Sequence, residues 1–383
     1  MSDRAHVRSQ YPLMAELVGL VLAGVLAVAL LVTAVAAVVG AAPVLAVLVI
    51  GLVMVLWVLA GLLLATHFGG HGHAARTQSH GRTGASLTVT AADGTPLNVE
   101  VDGPGEAEVT VVFAHGWVCE LGAWRHQRAF LAERGVRAVY YDQRGHGHSG
   151  WRSMAPDGIG VRELADDLAA VIAATVPTGR IVLVGHSMGG MTAMALAQRH
   201  PELLAERVGG VLLLGTCAGP LGESLTLGLP RALTAAHRLV RRHAVSTITL
   251  LGLMPRAMAR LLGIGPYYFF GSLLAVGNRS PWARQATARG LWATPLHIAG
   301  HTLRSVLAHD ERAALGGFDP ARTVVVSGLA DRLVPYADQV ELARLIGEAR
   351  HVSLPRVGHM VAQEAPDVVN AELARLVAGA GPA

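Results

Sequence analysis

Three side chains, spread from the middle of the chain to near its end, could together carry out acyl transfer: Ser187, Asp331 and His359. Ser187 sits in Gly185-His186-Ser187-Met188-Gly189, a G-x-S-x-G pattern. A serine hydroxyl is a poor nucleophile until a neighbouring base takes its proton, and that base needs a third group to fix its tautomer. His359 suits the base: it follows the strand expected at His351 to Leu354 through a short loop, which puts it at that strand's carboxyl end. His351 opens the same strand and belongs to the opposite end. Asp331 suits the orienting acid because it comes directly after the strand expected at Thr323 to Ser327. Its competitors are placed less well, since Asp310 and Asp319 precede that strand and Glu223 lies at the start of a long insertion. An oxyanion would need two donors, and the backbone amides of Met188 and Trp117 are the natural pair. Losing one such donor typically removes about 2.7–4 kcal/mol of barrier lowering. Asp142 and Arg144 read as pins for their own glycine-rich loop, His115 as a structural hydrogen-bonding residue, and Cys119 as a thiol with nothing to activate it.

The elements that must position these groups can be read on either side of them. Ile181 to Val184 is a short, apolar, β-branched run of the kind buried on both faces of a sheet, and Met191 to Gln198 reads as a helix. A strand turning directly into a helix around a serine forces that serine into a strained backbone, with glycines needed beside it. Leu87 to Thr90 and Leu97 to Val101 read as a β-hairpin. Further strands are expected at Val109 to Ala114, Arg137 to Tyr141 and Val208 to Leu214. Helices are expected at Trp124 to Arg134, Val161 to Thr175, Tyr336 to Gly347 and Pro366 to Val377. Strands alternating with helices predict an α/β fold, a mostly parallel sheet covered on both faces. The alternation stops over 219–308, a Leu- and Met-rich stretch that reads as a helical lid inserted between two strands.

The amino-terminal region is of a different kind. Of the 383 residues 52% are hydrophobic and only 15% charged, and the apolar excess is concentrated in the first 65 positions. Leu13 to Val39 and Val44 to Ala65 are two apolar runs separated by Gly40-Ala41-Ala42-Pro43. Each exceeds the roughly 20 helical residues that cross a bilayer's hydrocarbon core. Residues 1–66 are therefore expected to form a transmembrane helical hairpin. A cleaved signal peptide is the competing reading, but its apolar core would be about twice the usual length. Arg4, Arg8, Arg76 and Arg82 would share one side of the membrane, the cytoplasmic one by the positive-inside tendency, making this a two-pass protein with its catalytic part in the cytoplasm. Residues 67–85 read as a flexible linker, and 86–383 as the catalytic domain. His67, His71, His73 and His80 in the linker have no carboxylate or cysteine beside them and read as a solvated tether rather than a metal site. The net charge of +4 comes from arginine alone, with no basic cluster interleaved with aromatics, which argues against a nucleic-acid partner and fits a surface beside anionic lipid. Cys119 and Cys217 make no disulfide framework.

Taken together, five segments resemble the α/β-hydrolase fold family over roughly Ser86 to the carboxyl terminus. They are His115-Gly116-Trp117, Asp142-Gln143-Arg144-Gly145-His146-Gly147-His148-Ser149, Gly185-His186-Ser187-Met188-Gly189-Gly190, Gly328-Leu329-Ala330-Asp331 and Gly358-His359. The order serine, acid, histidine matches as well. The elbow is similar to those of monoacylglycerol lipases and small bacterial esterases, whereas epoxide hydrolases and haloalkane dehalogenases carry aspartate at that position. The resemblance implies a serine hydrolase without cofactor or metal that acts on a small-molecule carboxylic ester. The apolar lid and membrane tether favour a lipid-like acyl group. The alternatives are an acyltransferase or perhydrolase working through the same acyl-enzyme, or a non-catalytic membrane-bound binding protein on this fold.

Overall fold

The computed structural model describes residues 85–152, 160–221 and 293–381, with positions 248, 277, 283, 284, 287 and 290 between them. The expected membrane hairpin at 1–66, nearly all of the linker and most of the expected lid at 219–308 lie outside the described residues. Among the described residues no helix is long and apolar enough to cross a membrane.

Eight strands form one sheet: β1 (Ala85–Thr90), β2 (Pro96–Asp102), β3 (Val109–Ala114), β4 (Arg137–Tyr141), β5 (Arg180–His186), β6 (Val208–Leu214), β7 (Thr323–Gly328) and β8 (Arg350–Leu354). Their order is β1-β2-β4-β3-β5-β6-β7-β8. The β1–β2 hairpin pairs antiparallel, with Val89 opposite Leu97, and β2 runs antiparallel to β4; every other pairing is parallel.

Side chains that alternate along a strand go to opposite faces, and the core shows it. Val112 and Ala114 of β3 join Ile181 and Leu183 of β5 in one apolar cluster, while Val111, Phe113, Val182 and Val184 join the other. The first face is covered by α2 (Val161–Thr175), α3 (Met188–Arg199) and α6 (Tyr336–Leu345), through Leu164, Leu168, Met191, Met194 and Leu342 among others. On the second face, α8 (Pro366–Gly379) supplies Val369, Leu373 and Leu376, and α1 (Arg125–Ala132) supplies Leu131. Three further helices are α4 (Pro201–Arg207), α5 (Leu296–Ala308) and the single turn α7 (Val361–Glu364).

The expected helix at 124–134 is shorter than its pattern. Leu121–Trp124 is a 3-10 turn, α1 starts at Arg125, and Gly135 takes a positive φ of 62° just beyond the helix, a conformation that suits glycine. In the other direction, α3 begins three residues before the expected start, immediately after Ser187.

The topology locates a crevice. From β3 the chain crosses to β4 on one side, then returns to place β5 on β3's other side. Consecutive crossovers that leave in opposite directions open a gap at the carboxyl ends of the two central strands, where ligands bind in open α/β sheets. The residues at those ends are His115-Gly116-Trp117 after β3 and Ser187 after β5.

Candidate active site

Ser187 takes φ 51° and ψ −117°, a backbone conformation that residues with a side chain rarely adopt. The surroundings over-determine it. Its N–H donates to the Leu214 carbonyl at 2.9 Å, and its carbonyl accepts from the Thr216 hydroxyl at 2.9 Å. A Cβ on Gly189 would collide with the Ala114 carbonyl oxygen, and one on Gly185 would lie 2.6 Å from the Gly189 carbonyl oxygen. Glycine on both sides is thus required by the close approach of helix to strand.

His359 and Asp331 converge on this turn from the far end of the sheet. The Ser187 hydroxyl lies 2.9 Å from His359 Nε2, and His359 Nδ1 lies 2.8 Å from Asp331 Oδ2. The Asp331 side chain is fully buried, and its other oxygen accepts the amides of Leu333 and Val334 at 2.8 and 2.9 Å. Gln339 Nε2 donates to Oδ2 at 3.1 Å. An acid held this way cannot rotate, so the ring proton of His359 is kept on Nδ1 and Nε2 is free to accept from the serine. All three residues proposed from the sequence therefore meet. Their competitors do not: Asp310 pairs with Arg312 at the surface, and Asp319 caps a 3-10 turn. Glu223 lies outside the described residues.

The two proposed oxyanion donors belong to the two segments that meet at the serine. Met188 opens α3, where the helix supplies no carbonyl for its first amides. Trp117 follows Gly116, whose position is so close to the elbow that a Cβ there would lie 3.3 Å from that of Ser187. The Trp117 indole donates to the Ala299 carbonyl at 3.1 Å and the Thr302 hydroxyl at 3.0 Å, so α5 is fastened to the loop that carries this amide.

The remaining sequence candidates are structural. Asp142 accepts from the amides of Leu121 and His148 and from Asn98 Nδ2, and Arg144 bridges Asp167 and Asp93, so both hold their loop. His115 Nε2 accepts the Gln143 amide at 2.9 Å, which places its proton on Nδ1, donating to the Gly116 carbonyl. Burial pushes the Cys119 thiol up to about 12, which leaves it protonated and inert.

Three contributors to this edge carry no sequence signal of their own. Gln339 is one. His186, inside the elbow motif, donates from Nε2 to the carbonyl of His359 at 2.8 Å and so ties the base's backbone to the nucleophile's strand. Glu364, five positions beyond His359, reaches back to the loop that carries it.

Burial sets the charge of this edge and its response to acid. Desolvation holds four imidazoles well below the ordinary value of 6.5: His115 and His309 at about 4, His146 and His186 at about 3. On unfolding each returns to its ordinary value. Below that value the unfolded chain therefore binds protons that the folded chain does not, and stability is lost as pH falls. Denaturant titrations should give an unfolding free energy that is flat near neutrality and falls as the pH drops below the ordinary histidine value, with net proton uptake on unfolding. A midpoint unchanged between pH 7 and about pH 5 would contradict this.

Known proteins share this fold. The model of the α/β hydrolase fold family matches residues 109–366. A non-heme haloperoxidase of Rhodococcus erythropolis is 32% identical over 74% of this chain and 97% of its own length. Among solved structures, an esterase from Exiguobacterium antarcticum superimposes with a TM-score of 0.61 at 21% identity, covering 77% of this chain and all of its own. A thermophilic esterase from Thermogutta terrifontis gives 0.59 at 22% identity, over 78% of this chain and all of its own. With the family model matched over more than half of its length, the chain belongs to the α/β-hydrolase fold family.

Proposed function

We propose that the protein is a serine hydrolase that cleaves carboxylic esters with an apolar, lipid-like acyl group, held at a membrane by its amino-terminal hairpin. One observation carries the catalytic part of this reading: the continuous hydrogen-bonded chain from the Ser187 hydroxyl through His359 to the buried Asp331.

In this mechanism Ser187 Oγ attacks the ester carbonyl as its proton passes to His359 Nε2. The amides of Met188 and Trp117 stabilise the resulting oxyanion, and Asp331 stabilises the imidazolium. The intermediate collapses, the C–O bond to the alcohol breaks, and the Nε2 proton goes to the departing oxygen. Water then attacks the acyl-enzyme with His359 again as base, releasing the acid and restoring the serine proton.

The acyl preference rests on the two apolar runs at 13–39 and 44–65 and on the Leu-rich insertion. The test is a panel of p-nitrophenyl esters with the full chain in membranes. Activity should rise with acyl length from acetate to octanoate, and alkaline washing should leave the protein in the membrane fraction. A strong acetate preference would remove the lipid-like substrate, and release by alkali would remove the tether.

A second reading is favoured by the relative named as a haloperoxidase. Hydrogen peroxide in place of water would attack the same acyl-enzyme and release a peracid, with His359 taking the peroxide proton. Product analysis with peroxide and water in competition separates the two.

A further inference from the structure

Glu364 stands outside the catalytic chain, yet its carboxylate touches both residues that flank the base. Oε2 accepts the amide of Gly358 at 3.0 Å and Oε1 that of Met360 at 3.2 Å. The same Oε2 accepts a third amide, that of Gly277, at 2.8 Å. Gly277 is 87 residues away in sequence and belongs to the insertion between β6 and β7. Gly277 and Gly358 also lie backbone against backbone, since a Cβ built on either would collide with the main chain of the other. Glu364 itself is only 9% exposed. A carboxylate is an acceptor at both oxygens, so it can hold all three donors at once, which an amide cannot.

From this juxtaposition we infer that Glu364 is a positioning residue for His359, and that the amide of Gly277 shares in fixing the loop that carries the base. The inference rests on the proposed serine-hydrolase mechanism and adds to it: a carboxylate outside the catalytic chain helps to aim the general acid. Held through the amides of Gly358, Met360 and Gly277, the loop is fixed from two directions, which keeps Nε2 aimed at the serine hydroxyl and the leaving oxygen.

Glu364→Gln is the near-isosteric test. One end of the amide would turn an N–H toward a backbone donor, so at least one of the three bonds is lost. Alkyl alkoxides leave only when His359 delivers its proton, whereas p-nitrophenolate leaves without it. The substitution should therefore lower kcat/KM for both esters, since both need His359 as base, and by about tenfold more for an alkyl ester, which also needs it as acid, than for the matching p-nitrophenyl ester. Gly277→Ala, whose methyl would press on Gly358 from the insertion side, should reproduce the same leaving-group bias, and the double variant should be no worse than the more damaged single one. Where Glu364→Gln fails to fold, Gly277→Ala carries the test. The far-downfield proton resonance of His359 Nδ1 should shift in both variants, and it reads the ring without any substrate. Equal losses on both esters, or an unmoved resonance in a folded variant, would overturn the inference. Loss of fluorophosphonate labelling and of all ester cleavage in the unmodified protein would instead overturn the hydrolase reading.

Discussion

Ser187→Ala is expected to lower kcat on any accepted ester by about 10⁴-fold or more and to abolish covalent labelling by a fluorophosphonate, while the folded state persists. The size follows from the geometry. Among the described residues, the nucleophile within bonding distance of His359 Nε2 is Ser187 Oγ, at 2.9 Å. Cys119 cannot replace it, being buried and held protonated by its surroundings. Rate above the uncatalysed reaction would remain only through the oxyanion amides and substrate binding. The alanine keeps Cβ, and the residue's backbone bonds, its N–H to the Leu214 carbonyl and its carbonyl from the Thr216 hydroxyl, do not involve the Ser187 hydroxyl, so the fold should stand. Active-site titration with the probe, resolved by peptide mass, is the measurement. Label remaining on the alanine variant at another residue would remove Ser187 as nucleophile.

Asp331→Asn should cost nearly as much, about 10⁴-fold in kcat, for a different reason. Two amides, those of Leu333 and Val334, point at Oδ1. An asparagine must turn its carbonyl oxygen toward them, which sends its NH₂ toward His359 Nδ1. That nitrogen then accepts instead of donating, its proton moves to Nε2, and Nε2 can no longer take the serine proton. The residue is close to isosteric, so the melting temperature should change little while turnover collapses. Rates measured on the purified variant across pH 6–10 check the argument, because raising the pH toward deprotonation of the serine should recover part of the lost rate. Unchanged turnover would mean that Asp331 does not set the tautomer.

The site's members and the elements beneath them were legible for related reasons. Val109–Ala114, Arg137–Tyr141 and Val208–Leu214 end where the pattern of residues says they should, because parallel strands are buried on both faces and their apolar runs are bounded by polar residues or turns. Ser187, Asp331 and His359 could be placed because each immediately follows such a run or lies a short loop beyond it. Helix starts were less legible. Met188, Gly189 and Gly190 open α3 without helical periodicity, since that turn is shaped by its approach to β3 and not by an apolar stripe. The helix Pro201–Arg207 is too short for a period to show. His186 and Glu364 stayed hidden because their partners are backbone groups, on residues 173 positions away for His186 and up to 87 for Glu364. A backbone N–H or carbonyl has no signature in residue type, so only the folded chain brings such partners into view.

The torsion angles at residue 187 have a cost that is met in folding and not in turnover. A non-glycine residue held at φ 51° and ψ −117° forfeits about 1–3 kcal/mol, against a typical domain reserve of about 5–15 kcal/mol. The catalytic unit thus tolerates less heat than its well-filled interior would allow, and selection for longevity alone would put glycine there. Redesign aimed at a hardier scaffold should exempt this position and seek its gains elsewhere.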